Sequence, residues 1–263
     1  MSKLIQPGRI IFAVGIIALA VLQFIMGDYI IGRPPAISWP AWAITFPGKL
    51  FWAYLSASLL IIAGIAILFN KKARLAAISV GVMIIVYSFI IRDLTAMGDW
   101  INAYKSLALA GGAFIVAASF FKNENVNTGY SSPNNDLILT GSIFLSLFFV
   151  ICGIAHFKFD DFIINDFIPA YIPLHPFWTY FCGIALFIGG IGFIFKSTRK
   201  WAALLSGVMV LLWFFLLHIP RASATPKVYA EWMGVCESFA FSGIFFVLAG
   251  LSSKQVSVRS SMA

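Results

Sequence analysis

Chemistry in this chain would rest on few residues. Lys105 and Glu237 stand inside otherwise apolar stretches, each five residues after a tryptophan, Trp100 or Trp232. An ionised group that deep in hydrocarbon normally faces a partner or a cavity. Two readings follow from the residues: Lys105 pairs with Glu237, or each finds a local partner. Those partners would be Asp93 or Asp99 for Lys105, and Arg221 or His218 for Glu237. Further polar groups fall at the same ends of the apolar runs. They are Gln23, Asp28, Arg92, Asp93 and Asn102 in the first half, and His156, Asp160, Asp161, His218, Arg221 and Glu231 in the second. Two imidazoles at helix ends could ligate a haem axially. The chain has no Cys-x-x-Cys-His, however, and Gln23 and Arg92 stand at the matching places of the first half, so His156 and His218 are expected to hydrogen-bond to Asp160, Asp161 or Glu231. Metal ligation is not expected. Cys152, Cys182 and Cys236 lie within apolar runs and form no Cys-x-x-Cys, which reads as buried thiols. A Gly-rich phosphate loop, a nucleophile elbow and a zinc-protease helix are all missing, so nothing supports catalysis by the chain alone.

The elements that must position these groups are membrane helices. Of 263 residues, 61% are hydrophobic and 11% charged, with mean hydropathy +0.94. Soluble domains carry about 25% charged residues, and the composition excludes a nucleic-acid binder despite the net charge of +8. Eight apolar runs are long enough to cross a bilayer: 9–27, 50–69, 74–92, 101–121, 137–157, 177–195, 201–219 and 232–251. An even number puts both termini on one side. That side gathers eleven cations, among them Lys71, Lys72, Arg74, Lys196, Arg199 and Lys200, against Glu124 and Asp136; the other side holds seven cations and eight anions. Short loops rich in Lys and Arg stay in the cytoplasm, so both termini are expected there. A cleaved leader is not expected, because Gln23, Phe24, Met26 and Asp28 follow the first run where small residues would be needed.

The apolar runs repeat. Across 51–89 against 177–215, 14 of 39 positions are identical without a gap, including Phe51-Trp52, Tyr54, Gly64 and Gly81-Val82-Met83 at an offset of 126. Gln23-Phe24 aligns with His156-Phe157 at 133, and Trp100 with Trp232 at 132, which makes Lys105 and Glu237 equivalent. Such a period signals a duplicated unit. Four spans per copy give both copies one orientation, related by a two-fold pseudo-axis along the membrane normal. The expected fold is therefore all-α: residues 1–122 form the first four-helix repeat, 123–136 a cytoplasmic linker, 137–252 the second repeat and 253–263 a cytoplasmic tail. Residues 28–49 and 158–176 are too rich in proline for spans and too apolar for solvated loops. They read as an aromatic belt at the interface or as lids folded over the bundle mouth. Glycines such as Gly111, Gly112, Gly183 and Gly190 are expected to let helices approach closely.

The four-span unit resembles the DoxX family of small bacterial membrane proteins. In the second copy the resemblance rests on Gly153-Ile-Ala-His156-Phe157, Ile168-Pro169-Ala-Tyr-Ile-Pro173, Phe177-Trp178 with the Gly183–Gly190 helix, and His218-Ile-Pro220-Arg221. In the first it rests on Asn102-Ala-Tyr-Lys105 followed by Leu107–Gly112. The family is usually a single unit, so the tandem copy is a departure. Its members are similar to a membrane subunit of a thiosulfate:quinone oxidoreductase, and others are linked to oxidative-stress complexes. The resemblance implies a multi-pass protein of the bacterial inner membrane. Its role would be a non-catalytic or accessory subunit that binds a redox partner, quinone or lipid at the outer mouth. Quinone, not haem, is the implied cofactor. The second function class is a transporter or permease for a small solute, with its site between the copies.

Overall fold

A computed structural model describes residues 2–32, 38–92, 100–121 and 133–260. The described residues are all-helical in architecture, and among them eight helices are long and apolar enough to cross a membrane. They are α1 (Ile5–Met26), α2 (Lys49–Leu68), α3 (Ala73–Ile85), α4 (Trp100–Ser119), α5 (Pro133–Lys158), α6 (His175–Ile194), α7 (Arg199–Trp213) and α8 (Tyr229–Ser260). Helix is the form such runs must take, because hydrocarbon offers backbone groups no partner outside the segment. All eight expected spans are present with shifted ends. The start of α5 at Pro133 falls inside the stretch read as a linker, and α8 continues to Ser260 through the stretch read as a tail. Residues 123–132 of that linker, and Asp93 and Asp99, lie outside the described residues.

Each helix packs on its neighbours in sequence, and α1 closes the circuit against α8. Helices α4 and α8 also meet each other, and they are the innermost pair. In their apolar stretches 72% and 78% of residues are buried, against at most 44% in the other six. Small residues make the close contacts. A Cβ on Gly243 would lie 2.6 Å from the Gly8 carbonyl oxygen, and one on Gly141 2.3 Å from that of Gly111. Between α4 and α8, a Cβ on Gly112 would fall 2.1 Å from Cδ1 of Ile244. In lipid, where no hydrophobic drive pushes helices together, such backbone approach supplies much of the packing energy.

Two helices leave α-geometry at the end of the bundle opposite the termini, here the distal end. Helix α3 runs on through a π-helical segment, Val86–Ile91. Helix α7 does so through Phe214–His218 and then resumes over Ile219–Ala224. The second has a visible cause. Pro220 has no N–H to give to the carbonyl of Leu216, four residues earlier. The hydroxyl of Tyr171, from the segment 158–176, donates to that carbonyl instead. At the end near the termini, arginines cap helix C-termini, where backbone carbonyls are unsatisfied and cations are favoured. Arg199 donates to the carbonyls of Phe193 and Ile194 at 2.6 and 2.8 Å, and Arg9 to that of Ser119.

The Tyr171 contact yields a test. Tyr171→Phe should lower stability in detergent by about 1 kcal/mol, the net worth of a typical hydrogen bond. In a Pro220→Ala background, where the backbone supplies the missing N–H, the loss should largely vanish; thermal unfolding of the four proteins measures the coupling.

Candidate functional site

The polar residues collect at the distal end in three groups. The first belongs to α1, α2, α3 and the segment after α1. That segment turns at Gly27, whose φ of 60° ends α1 in the left-handed conformation. It then sends Asp28, Tyr29, Ile30 and Ile31 inward, all buried. Of the two readings of residues 28–49, this part is a fold-back into the bundle and not an interfacial belt. It brings charge with it. The wholly buried Arg92 donates through Nη1 to Asp28 Oδ1 at 2.7 Å and to the Tyr29 carbonyl at 2.9 Å. The indole N–H of Trp39 donates to the same Asp28 oxygen at 2.9 Å, and Arg92 lies 4.6 Å from the centre of the Trp39 ring. Lys49 Nζ is 3.7 Å from the other Asp28 oxygen. Gln23 spans the α1–α2 contact, donating to Ala53 O at 2.9 Å and Ser56 Oγ at 2.5 Å.

Next to this charge lies an aromatic group. Tyr29 and Tyr87 have ring centres 5.2 Å apart, Trp52 and Tyr87 6.5 Å, and Trp42 and Trp52 5.9 Å. The Tyr29 hydroxyl shares a hydrogen bond of 3.0 Å with Ser88. Burial holds the Tyr29 phenol above its ordinary pKa, against the opposing effects of Ser88 and Arg92. The indole N–H of Trp52 is shielded from solvent and has no acceptor among the described residues, while the Tyr87 hydroxyl, also shielded, faces Ser56.

The second group is the axis. Lys105 Nζ lies 2.8 Å from Glu237 Oε2, joining α4 to α8, the two most enclosed of the eight helices. Of the two readings of these charges, direct pairing is the one observed. Gly32, at a φ of 84°, lies against Asn102 and Ser106 of α4, and its backbone N–H faces the Glu237 carboxylate. The folded-in segment therefore reaches from Arg92 to the axial pair. Any side chain on Gly32 would meet Ser106 Oγ at 2.4 Å. The other carboxylate oxygen, Oε1, is buried with no hydrogen-bond partner among the described residues.

The third group is in the second half. Arg221 is held bidentately by Glu231, at 2.9 and 2.6 Å, and donates to the carbonyls of Asp166 and Phe167 at 2.9 and 2.5 Å. That clamp ties the segment 158–176 to α8, so Arg221 partners Glu231 and not Glu237. The histidines depart from expectation. His156 donates from Nδ1 to the carbonyl of Cys152, one turn back on its own helix, at 2.8 Å. Its acceptor is a backbone group because Asp160 sits further along and receives Tyr180 instead, at 2.8 Å. His218 packs against Gly234, whose Cβ would lie 2.9 Å from Nδ1, and its ring centre is 6.3 Å from that of Phe167. The two histidines thus belong to separate local contacts. Cys182 accepts from the Trp213 indole at 3.1 Å, and all three cysteines are free thiols.

Sequence reasoning reached Gln23, Asp28, Arg92, Lys105 and Glu237 but missed Tyr29, Trp52, Ser56, Tyr87 and Ser88 as site residues. Their signal was faint: Gly27 and Gly32 bracket the turning segment, and Ser56 and Ser88 interrupt apolar runs. The chain matches no family model, no curated protein and no solved structure.

The axial pair makes a firm prediction. Lys105→Met and Glu237→Leu should each destabilise the protein, Lys105→Met by about 3–5 kcal/mol because it leaves the buried Glu237 carboxylate without its cation. Together they should cost much less than the sum. The swapped protein, Lys105→Glu with Glu237→Lys, should unfold at a higher temperature than either half-swap; equal melting of all three would rule out pairing as the stabilising contact.

Proposed function

We propose that the protein is a DoxX-like, non-catalytic membrane subunit that holds a quinone or lipid at the distal mouth for a partner oxidoreductase. The single observation that carries this reading is the buried indole N–H of Trp52, which has no acceptor among the described residues and lies among aromatic rings, edge-on to Tyr87. A quinone head is a flat ring with two carbonyl acceptors, so these residues fit it. Trp52 and Tyr87 would bind the carbonyl oxygens, and Tyr29 and Trp42 would flank the ring. When bound, the quinone supplies the electron acceptor; the chain's own work is to orient it and to exclude water. Arg92, locked to Asp28 and Tyr29, fixes the segment that closes over these rings. The distal end is read as extracytoplasmic, and the membrane as the bacterial inner membrane, from the cationic loops at the other end.

A parallel duplication is supported by pairs of contacts that correspond under the sequence offsets. Gly8 meets Gly243 as Gly141 meets Gly111. Gly64 meets Ala13 and Ile17 as Gly190 meets Ser146 and Val150. Phe24 stacks on Tyr54 as Phe157 stacks on Tyr180. Trp52 meets Tyr87 edge-on as Trp178 meets Trp213. Trp213 donates to Cys182 in the second copy as the Tyr87 hydroxyl faces Ser56 in the first.

The transporter reading has one observation in its favour, the unused Glu237 Oε1 on the axis. Against it, α4 and α8 are in close contact there, with Gly112 filled by Ile244.

Solvent extraction of the purified protein should release a quinone. Trp52→Phe combined with Tyr87→Phe should cut the retained amount at least tenfold, as loss of two hydrogen bonds of about 1 kcal/mol each would do. Retention unaffected by the double change, together with solute flux in sealed vesicles, would favour the transporter instead.

A further inference from the structure

A second ligand-shaped feature lies on the flank of the bundle. It is separate from the aromatic group, on the opposite face of α1 from Gln23. Helices α1 and α8 touch closely at Gly8–Gly243 and at Gly15, whose Cβ would lie 2.8 Å from that of Ala240. Beyond Gly15 towards the distal end, the two helices flank an open groove of about 380 Å³. One wall is Ala18, Val21, Leu22 and Ile25, at the i, i+3, i+4, i+7 spacing of a single helix face. The other wall is Tyr229, Trp232 and Cys236 on α8. Seven residues at 1.5 Å each make the α1 wall about 10 Å long.

The walls admit hydrocarbon and little else. The indole N–H of Trp232 is already given to the carbonyl of Pro226, which closes the rim, at 3.1 Å, so Trp232 offers the groove an apolar ring. Val21 and Ile25 are exposed on helices that span a membrane. The medium next to the groove is therefore acyl chain. The mouth adds a charge. Lys227, exposed, sits between the lining residues Pro226 and Tyr229. Glu231, the nearest carboxylate along the chain, is taken by Arg221. A cation at the rim beside Tyr and Trp is the arrangement that meets a lipid phosphate at headgroup level.

We propose that the α1–α8 groove is a specific phospholipid site, with one acyl chain between Ala18–Ile25 and Trp232–Cys236 and the phosphate at Lys227. This deepens the lipid half of the function proposed above and rests only on the chain being a membrane protein, not on quinone binding.

The test is native mass spectrometry of the full chain, released from nanodiscs of a phosphatidylglycerol and phosphatidylethanolamine mixture into increasing detergent. One phospholipid per chain should persist after all others are lost. Ala18→Phe, which fills the groove, should reduce that fraction at least fivefold. Lys227→Glu, at an exposed position that does not endanger folding, should reduce it at least threefold. Bromine on the acyl chain should quench fluorescence of the wild type more than that of Trp232→Phe. Four results would each overturn the site: phospholipid lost continuously with detergent, as for annular lipid; a quinone retained in its place; retention unchanged by Lys227→Glu; or equal quenching in both proteins. Quinone extraction in the same samples reports separately on Trp52 and Tyr87, so failure of one site leaves the other readable.

Discussion

Two opposite charges at the centre of an apolar bundle constrain the rest of the molecule. An isolated ammonium or carboxylate in hydrocarbon costs several kcal/mol, so Lys105 and Glu237 require each other. Their contact fixes how α4 and α8 approach and at what depth. Everything around the pair answers to that requirement. Glycines let α4 and α8 close on their neighbours, and the segment after α1 turns inward until Gly32 faces Glu237. That inward turn buries Asp28, and a buried Asp28 in turn needs Arg92, Trp39 and Lys49.

The two halves solve the same problem differently. In the first, the segment after α1 enters the bundle and is held from within by a buried arginine. In the second, the equivalent stretch stays largely outside and is clamped by Arg221 to Glu231, with Tyr171 attending the carbonyl that Pro220 leaves free. The asymmetry gives the chain one enclosed polar group instead of two. Ser56 and Tyr87 of the first half stand in place of Cys182 and Trp213 of the second.

Cations at the opposite end show how one residue type serves two purposes. Arg9 and Arg199 belong to the cationic end of the chain, and both also cap helix C-termini, whose last carbonyls have no partner within the helix. Such caps are local, strong and independent of the distal chemistry.

Composition and run length alone determined that the chain is helical and spans a membrane eight times, because a bilayer leaves apolar runs of that length no other form. The offset of 132 also made Lys105 and Glu237 equivalent and so candidates for a shared axis. Periodicity was nonetheless silent on how the loops fold. Whether 28–49 lies on the surface or dives inward depends on what the bundle needs filled, and only the packed helices decide that. The histidines show the limit most plainly. Their acidic neighbours in sequence were plausible partners, but His156 bonds a carbonyl one turn back on its own helix and His218 packs against Gly234. Hydrogen bonds in an apolar interior go to the closest group of correct geometry, and closeness there is a property of the tertiary structure.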